Sequence, residues 1–268
     1  MRLRRIFGAL FRAVLVVAVV LIPAMLLPDA TPASLEMSII IGSIAGAVVL
    51  FEYGSSSPGI IDFRFAAPYN RARLIAFAFV LSALSFLCRA LTGTGAFAPD
   101  YLAFTDRLIE ALSFPYSPVL LAPLAVVGAD NPELAGIVQR AAALGLSVSG
   151  AAALLMFLVL GLLRWPPRRQ KFNLWVNLPT FKPSTGRSVE RRLFFRAVLY
   201  IFLGLSLPFT LTVLASQSLG WFDPAALASY PTLVWSIALW SFLPAAFIIR
   251  GVALCKIGFL VRRARSYG

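Results

Sequence analysis

The residues of this 268-residue chain best suited to chemistry gather in one stretch, Glu52-Tyr53-Gly54-Ser55-Ser56-Ser57-Pro58-Gly59-Ile60-Ile61-Asp62-Phe63-Arg64, continuing to Tyr69-Asn70-Arg71-Ala72-Arg73. Gly54, Pro58 and Gly59 permit sharp turns that aim backbone N–H groups at one point. Ser55, Ser56 and Ser57 add hydroxyl donors, and Arg64, Arg71 and Arg73 add positive charge. Such a donor set suits a phosphate or a lipid headgroup. No Gly-Lys-Ser/Thr triplet occurs, so the stretch lacks the nucleotide P-loop pattern. The competing reading is an ordered loop in which Asp62 or Glu52 pairs with an arginine beside the headgroups.

A second polar stretch runs from Arg164 to Arg192. Asn173, Asn177 and Lys182 alternate there with Phe172, Trp175, Leu178 and Phe181. Basic and aromatic residues interleaved in this way can stack on single-stranded nucleic acid. Beside apolar segments they form an interfacial belt on an anionic leaflet, where each basic residue contributes about 1 kcal/mol. The second reading is preferred. It predicts membrane lipids with anionic headgroups, and other integral membrane proteins, as partners, and no nucleic acid.

Other chemistries lack their residues. The chain has no histidine and two cysteines, Cys88 and Cys255, both in or beside apolar runs. That removes the commonest metal and haem ligand and leaves too few thiolates for a cluster. No cofactor and no metal are expected. Ser82, Ser85, Ser147 and Ser149 have no base at their depth, and no acid falls in the middle of an apolar segment. These serines are read as bonding to helix carbonyls or to neighbouring helices.

The elements that position these stretches follow from composition. The chain is 60% hydrophobic and 13% charged, against about 25% charged for a soluble domain. A span needs about 20 mostly apolar residues. Six segments qualify: 7–27, 35–51, 74–91, 141–163, 193–215 and 232–249. The expectation is therefore an all-α polytopic membrane protein, a single integral domain over 1–268. It consists of six transmembrane helices, an outer-side helical cap within 92–140, and inner loops at 52–73 and 164–192. Arg2, Arg4 and Arg5 before the first apolar run resemble a signal peptide, but the run continues to Leu27 without a small-x-small site, so it is read as a retained span.

Basic residues set the orientation. With the N-terminus inside, 21 of the 24 lysines and arginines face the cytoplasm and only Arg89, Arg107 and Arg140 lie outside. Acids divide the other way, so the inside nets +18 and the outside −5, in keeping with the chain's +13. Both termini are placed in the cytoplasm. The bias toward arginine, alanine and proline suggests a GC-rich bacterial genome and hence the inner membrane.

Within 92–140, Pro99 to Ser113 reads as a surface helix with Leu102, Leu108, Ile109 and Leu112 on its apolar side. Val119 to Val127 is apolar but too short to span, and a cap packed on protein is preferred to a re-entrant piece. Thr31 or Ser34 should cap the second helix. Pro23, Pro208 and Pro244 fall inside spans, where each removes a helical hydrogen bond. Gly145 and Ser149 form a small-xxx-small pair suited to close helix contact. Phe11-Arg12-Ala13-Val14-Leu15 recurs as Phe195-Arg196-Ala197-Val198-Leu199, which raises an internal repeat.

The function expected is a non-enzymatic accessory, scaffold or assembly component of a larger membrane complex, docking through its basic cytoplasmic loops. A transporter or channel for a small or amphiphilic solute is the alternative. A lipid-acting membrane enzyme is the third reading.

Overall fold

A computed structural model describes residues 2–28, 30–55, 59–128, 131–162, 165–166, 177–178, 189–217 and 224–265. Among these the chain is all-helical. The helices are α1 (Arg2–Leu26), α2 (Pro32–Gly54), α3 (Tyr69–Leu91), α4 (Ala98–Leu112), α5 (Pro118–Val126), α6 (Pro132–Leu162), α7 (Val189–Gln217) and α8 (Tyr230–Arg265), with a 3-10 turn at Pro224–Ala228. Six of them (α1, α2, α3, α6, α7 and α8) are long and apolar enough to cross a bilayer. The protein is a multi-pass helical membrane protein. Its apolar side chains point outward as well as inward: Phe7, Ile44, Phe79, Leu155, Phe202 and Leu239 are all exposed. In water this would be a liability, whereas lipid is as apolar as they are.

α3, α6 and α8 pack on one another at the centre. Leu81, Leu84, Leu144, Leu233 and Val234 fill one half of this core. Phe63, Tyr69, Leu160, Leu193 and Ile249 fill the other half, nearer the chain termini. The α1–α2 hairpin leans on α3 through α1, and α7 lies along α8. α2 packs chiefly on α1.

Small residues allow the closest crossings. A Cβ added at Gly251 would stand 2.8 Å from the Ala197 carbonyl oxygen, and one at Gly204 would stand 2.7 Å from that of Pro244. Gly46 faces Ala13 likewise, with 3.4 Å to its carbonyl oxygen. The alanine of each copy of the five-residue match thus faces a glycine of the following helix. Gly145 meets Ile237 and Ser241 of α8, and Ser149 donates to the Ser241 hydroxyl at 3.4 Å.

The expected spans shift at their ends. The 35–51 segment extends to Pro32–Gly54, with Thr31 as N-cap accepting from Ser34 N–H. The 141–163 segment begins nine residues earlier, at Pro132, where the Asn131 side chain accepts from Leu134 N–H. That extension carries Arg140, which reaches Asp106 on α4 at 2.9 Å.

The largest correction is the last helix, expected over 232–249. It continues to Arg265, because Ala253, Leu254 and Ile257 are buried against Leu193 and Leu160. Its 36 residues rise about 54 Å, well beyond a hydrocarbon core of about 30 Å.

The segment between α3 and α6 forms the cap. α4 lies on α3 and α6, and α5 on α6 and α7. The Tyr101 hydroxyl donates to the Ala83 carbonyl at 2.8 Å. Burial, then the neighbouring Cys88, pushes that phenol up to about 12.

Candidate functional site

The first polar stretch folds at the end of the bundle that holds both termini. Its boundaries differ from 52–73: Glu52 and Tyr53 end α2, while Tyr69, Asn70, Arg71 and Arg73 open α3. Among the described residues only 55 and 59–68 lie between the two helices, and Ser56 and Ser57 lie outside the described residues.

The turn does aim backbone N–H groups at one point, and that point is already filled. Glu52 Oε1 accepts from the N–H groups of Gly59 at 2.6 Å, Ile60 at 2.8 Å and Ile61 at 3.1 Å. The chain supplies its own anion to a nest that would otherwise suit a phosphate or a lipid headgroup.

Arg64 is likewise turned inward. Its guanidinium donates to the carbonyls of Glu52 at 2.5 Å, Ser55 at 2.8 Å and Tyr53 at 3.3 Å. These are orphan acceptors at the end of α2, and a cation there also meets the negative end of the helix dipole. Arg64 is buried and lies over the rings of Tyr53 and Phe65. Burial, then the like charge of Arg5, lowers its pKa, while Glu52 opposes the change.

Asp62 is buried and ion-paired to Arg250 of α8. Its carbonyl accepts from Asn70 Nδ2 at 2.8 Å, and the same amide nitrogen lies 3.4 Å from the Tyr53 hydroxyl. Arg250 also lies 4.5 Å from the centroid of the Tyr200 ring. Phe63, next to Asp62, has φ +56°, a left-handed conformation that a bulky side chain rarely adopts. The neighbours that hold it there come from the second polar stretch.

Asn177 joins the two stretches. Its carbonyl accepts from Phe63 N–H at 2.6 Å, and its side-chain oxygen accepts from Phe65 N–H at 3.1 Å. Trp165 Nε1 donates to the Ala66 carbonyl at 3.2 Å. The rings of Phe63, Tyr69 and Trp165 meet edge-on or stacked with centroids 4.5–6.2 Å apart. Asn173, Trp175 and Lys182 lie outside the described residues.

The structure therefore brings Glu52, Tyr53, Ser55, Asp62, Arg64, Tyr69, Asn70 and Asn177 together. Arg71 points outward and is exposed, and Arg73 lies over the Tyr69 ring. Gly145 and Ser149 belong to the α6–α8 contact, away from this face.

Four participants escape sequence reasoning. Arg5 donates to the Gly54 carbonyl at 2.5 Å, and Arg12 lies 4.8 Å from the Tyr53 ring centroid. Trp165 and Arg250 complete the set. Arg250 is masked by its position, which resembles the end of a span. Trp165 carries no signal beyond an aromatic residue next to Pro166.

Compared with known proteins, the chain matches no family model, no curated protein and no solved structure.

Proposed function

We propose that this chain is a non-enzymatic accessory, scaffold or assembly component of a larger complex in a bacterial inner membrane, with both termini in the cytoplasm. It docks through the face that carries them, on anionic headgroups and on other membrane proteins. One observation carries the reading. Two segments about a hundred residues apart in sequence are joined by Asn177 and Trp165, while Arg64 ties the first of them to the end of α2 and Asp62 ties it to Arg250 of α8. These polar groups serve the shape of the face, and exposed Arg5 and Arg71 lie on it. A fixed, basic surface at headgroup level is what docking requires.

Two measurements test this. In a background lacking Cys88 and Cys255, Asp100→Cys should react with an impermeant thiol reagent on intact spheroplasts, and Arg263→Cys should not. The opposite pattern inverts the protein. After mild detergent extraction, the native chain should co-purify with a defined set of membrane proteins, and Arg71→Glu should lose them while folding normally. A chain that purifies alone and moves solute across proteoliposomes by itself would favour a transporter instead.

A further inference from the structure

The turn held by Glu52 creates a groove on the outer side of α2. Ala47, Val48, Phe51, Glu52, Ser55, Gly59 and Ile60 line it. Its volume is about 470 Å³, within the roughly 300–1,000 Å³ range of ligand sites. The lining is largely apolar, and two of its members are conspicuously uncovered: Phe51 is 78% exposed and Ile60 71%. Neither is there by accident of a loose loop. Three hydrogen bonds to Glu52 fasten the turn, and Arg64 fastens the chain on either side of it. The groove is thus pre-formed.

A cation lies next to the lining. Arg5 spends one bond on the carbonyl of Gly54, the residue that precedes Ser55 of the lining. An arginine has five N–H donors, and Arg5 is exposed. Glu52, the acid in the lining, is 5% exposed and its Oε1 is saturated by backbone donors. Ile44 and Ile40, one turn and two turns before Val48 on the same face of α2, are exposed as well. An apolar groove on a lipid-facing helix, beside an exposed guanidinium, suits a phospholipid with an anionic headgroup.

We propose that this groove is a specific site for one anionic phospholipid. An acyl chain lies along Ala47, Val48 and Phe51 against Ile60, and the phosphate is held by Arg5. The inference rests on the membrane placement above and adds a discrete stoichiometric site to general headgroup attraction.

The test is native mass spectrometry of delipidated, detergent-purified protein titrated with phosphatidylglycerol or phosphatidylethanolamine. The native chain should hold one phosphatidylglycerol about tenfold more tightly than phosphatidylethanolamine. Ala47→Trp, which fills the groove, should abolish that binding. Ile60→Glu, on an exposed turn and so tolerant of change, should do the same. Arg5→Ala should remove the preference for the anionic lipid, and Val198→Trp on the exposed side of α7 should leave binding unchanged. Equal affinity for both lipids in the native chain, or undiminished phosphatidylglycerol binding in Ala47→Trp and Ile60→Glu, overturns the proposal. Thiol labelling and co-purification read different quantities. Loss of the lipid site with both intact sinks the groove alone, whereas an inverted labelling pattern with the lipid site intact sinks the functional reading alone.

Discussion

Asp62 and Arg250 form an ion pair across 188 positions of sequence, joining the turn before α3 to the middle of α8. Arg250 stands 20 residues into its helix, about 30 Å along it at 1.5 Å per residue. That depth is one hydrocarbon thickness from the helix start. The pair fixes the turn before α3 to the middle of α8. Removing one partner of a buried pair leaves an uncompensated charge and costs about 3–5 kcal/mol. Arg250 is partly exposed, so Arg250→Ala should fall at about 3 kcal/mol. Thermal unfolding in detergent measures it, and Asp62→Asn in the Arg250→Ala background should recover part of the loss.

Glu52 should behave as a structural anion. Glu52→Ala strands the N–H groups of Gly59, Ile60 and Ile61 and should cost about 2–3 kcal/mol, while Glu52→Gln keeps an acceptor oxygen and should cost about 1 kcal/mol. Hydrogen exchange at those three amides is the direct readout. Exchange should accelerate strongly in the alanine variant and modestly in the glutamine variant. Unchanged protection in both would dissociate Glu52 from the turn.

Gly251 and Gly161 should respond in opposite senses to the same substitution. At Gly251 an added methyl meets Ile201 at 2.6 Å and backbone oxygen at 2.8 Å, whereas at Gly161 nothing lies within 4 Å. Gly251→Ala must push α7 from α8 and should destabilise by about 1–3 kcal/mol. Gly161→Ala relieves glycine's entropic cost in a helix and should stabilise by up to about 1 kcal/mol. Paired melting curves decide the sign.

Tyr101 gives the protein an alkaline dependence. Its folded pKa, pushed up to about 12, lies above the ordinary tyrosine value of about 10. The folded state therefore holds this proton more tightly than the unfolded state. The stability it contributes is complete below about pH 10 and is lost as pH rises toward 12. Tyr101→Phe loses the bond to Ala83, about 1 kcal/mol at neutral pH, and lacks this titration. The gap between the native chain and the variant should close as pH rises from 9 to 12. A gap constant across that range would place Tyr101 in contact with water.

The bundle was legible in the amino-acid order because a bilayer tests each segment almost independently. Twenty apolar residues cross or do not, and basic residues seldom follow them, so six helices and the cap between Thr92 and Arg140 can be read locally. The polar stretch was legible as composition too: the turn at Gly59 does aim backbone N–H groups, its own and those of Ile60 and Ile61, at one point. Its occupant was not legible, since whether the nest holds a ligand or Glu52 depends on where the end of α2 meets the turn. Arg250, Trp165 and Asn177 reach the same turn from 99 to 188 positions away, and no local pattern marks such partners. Tertiary packing alone decided that Arg64 caps a helix, that Arg71 faces out, and that α8 runs past Ile249. Pairing charges and burying Ala253 and Ile257 are gains that exist only once distant helices stand side by side.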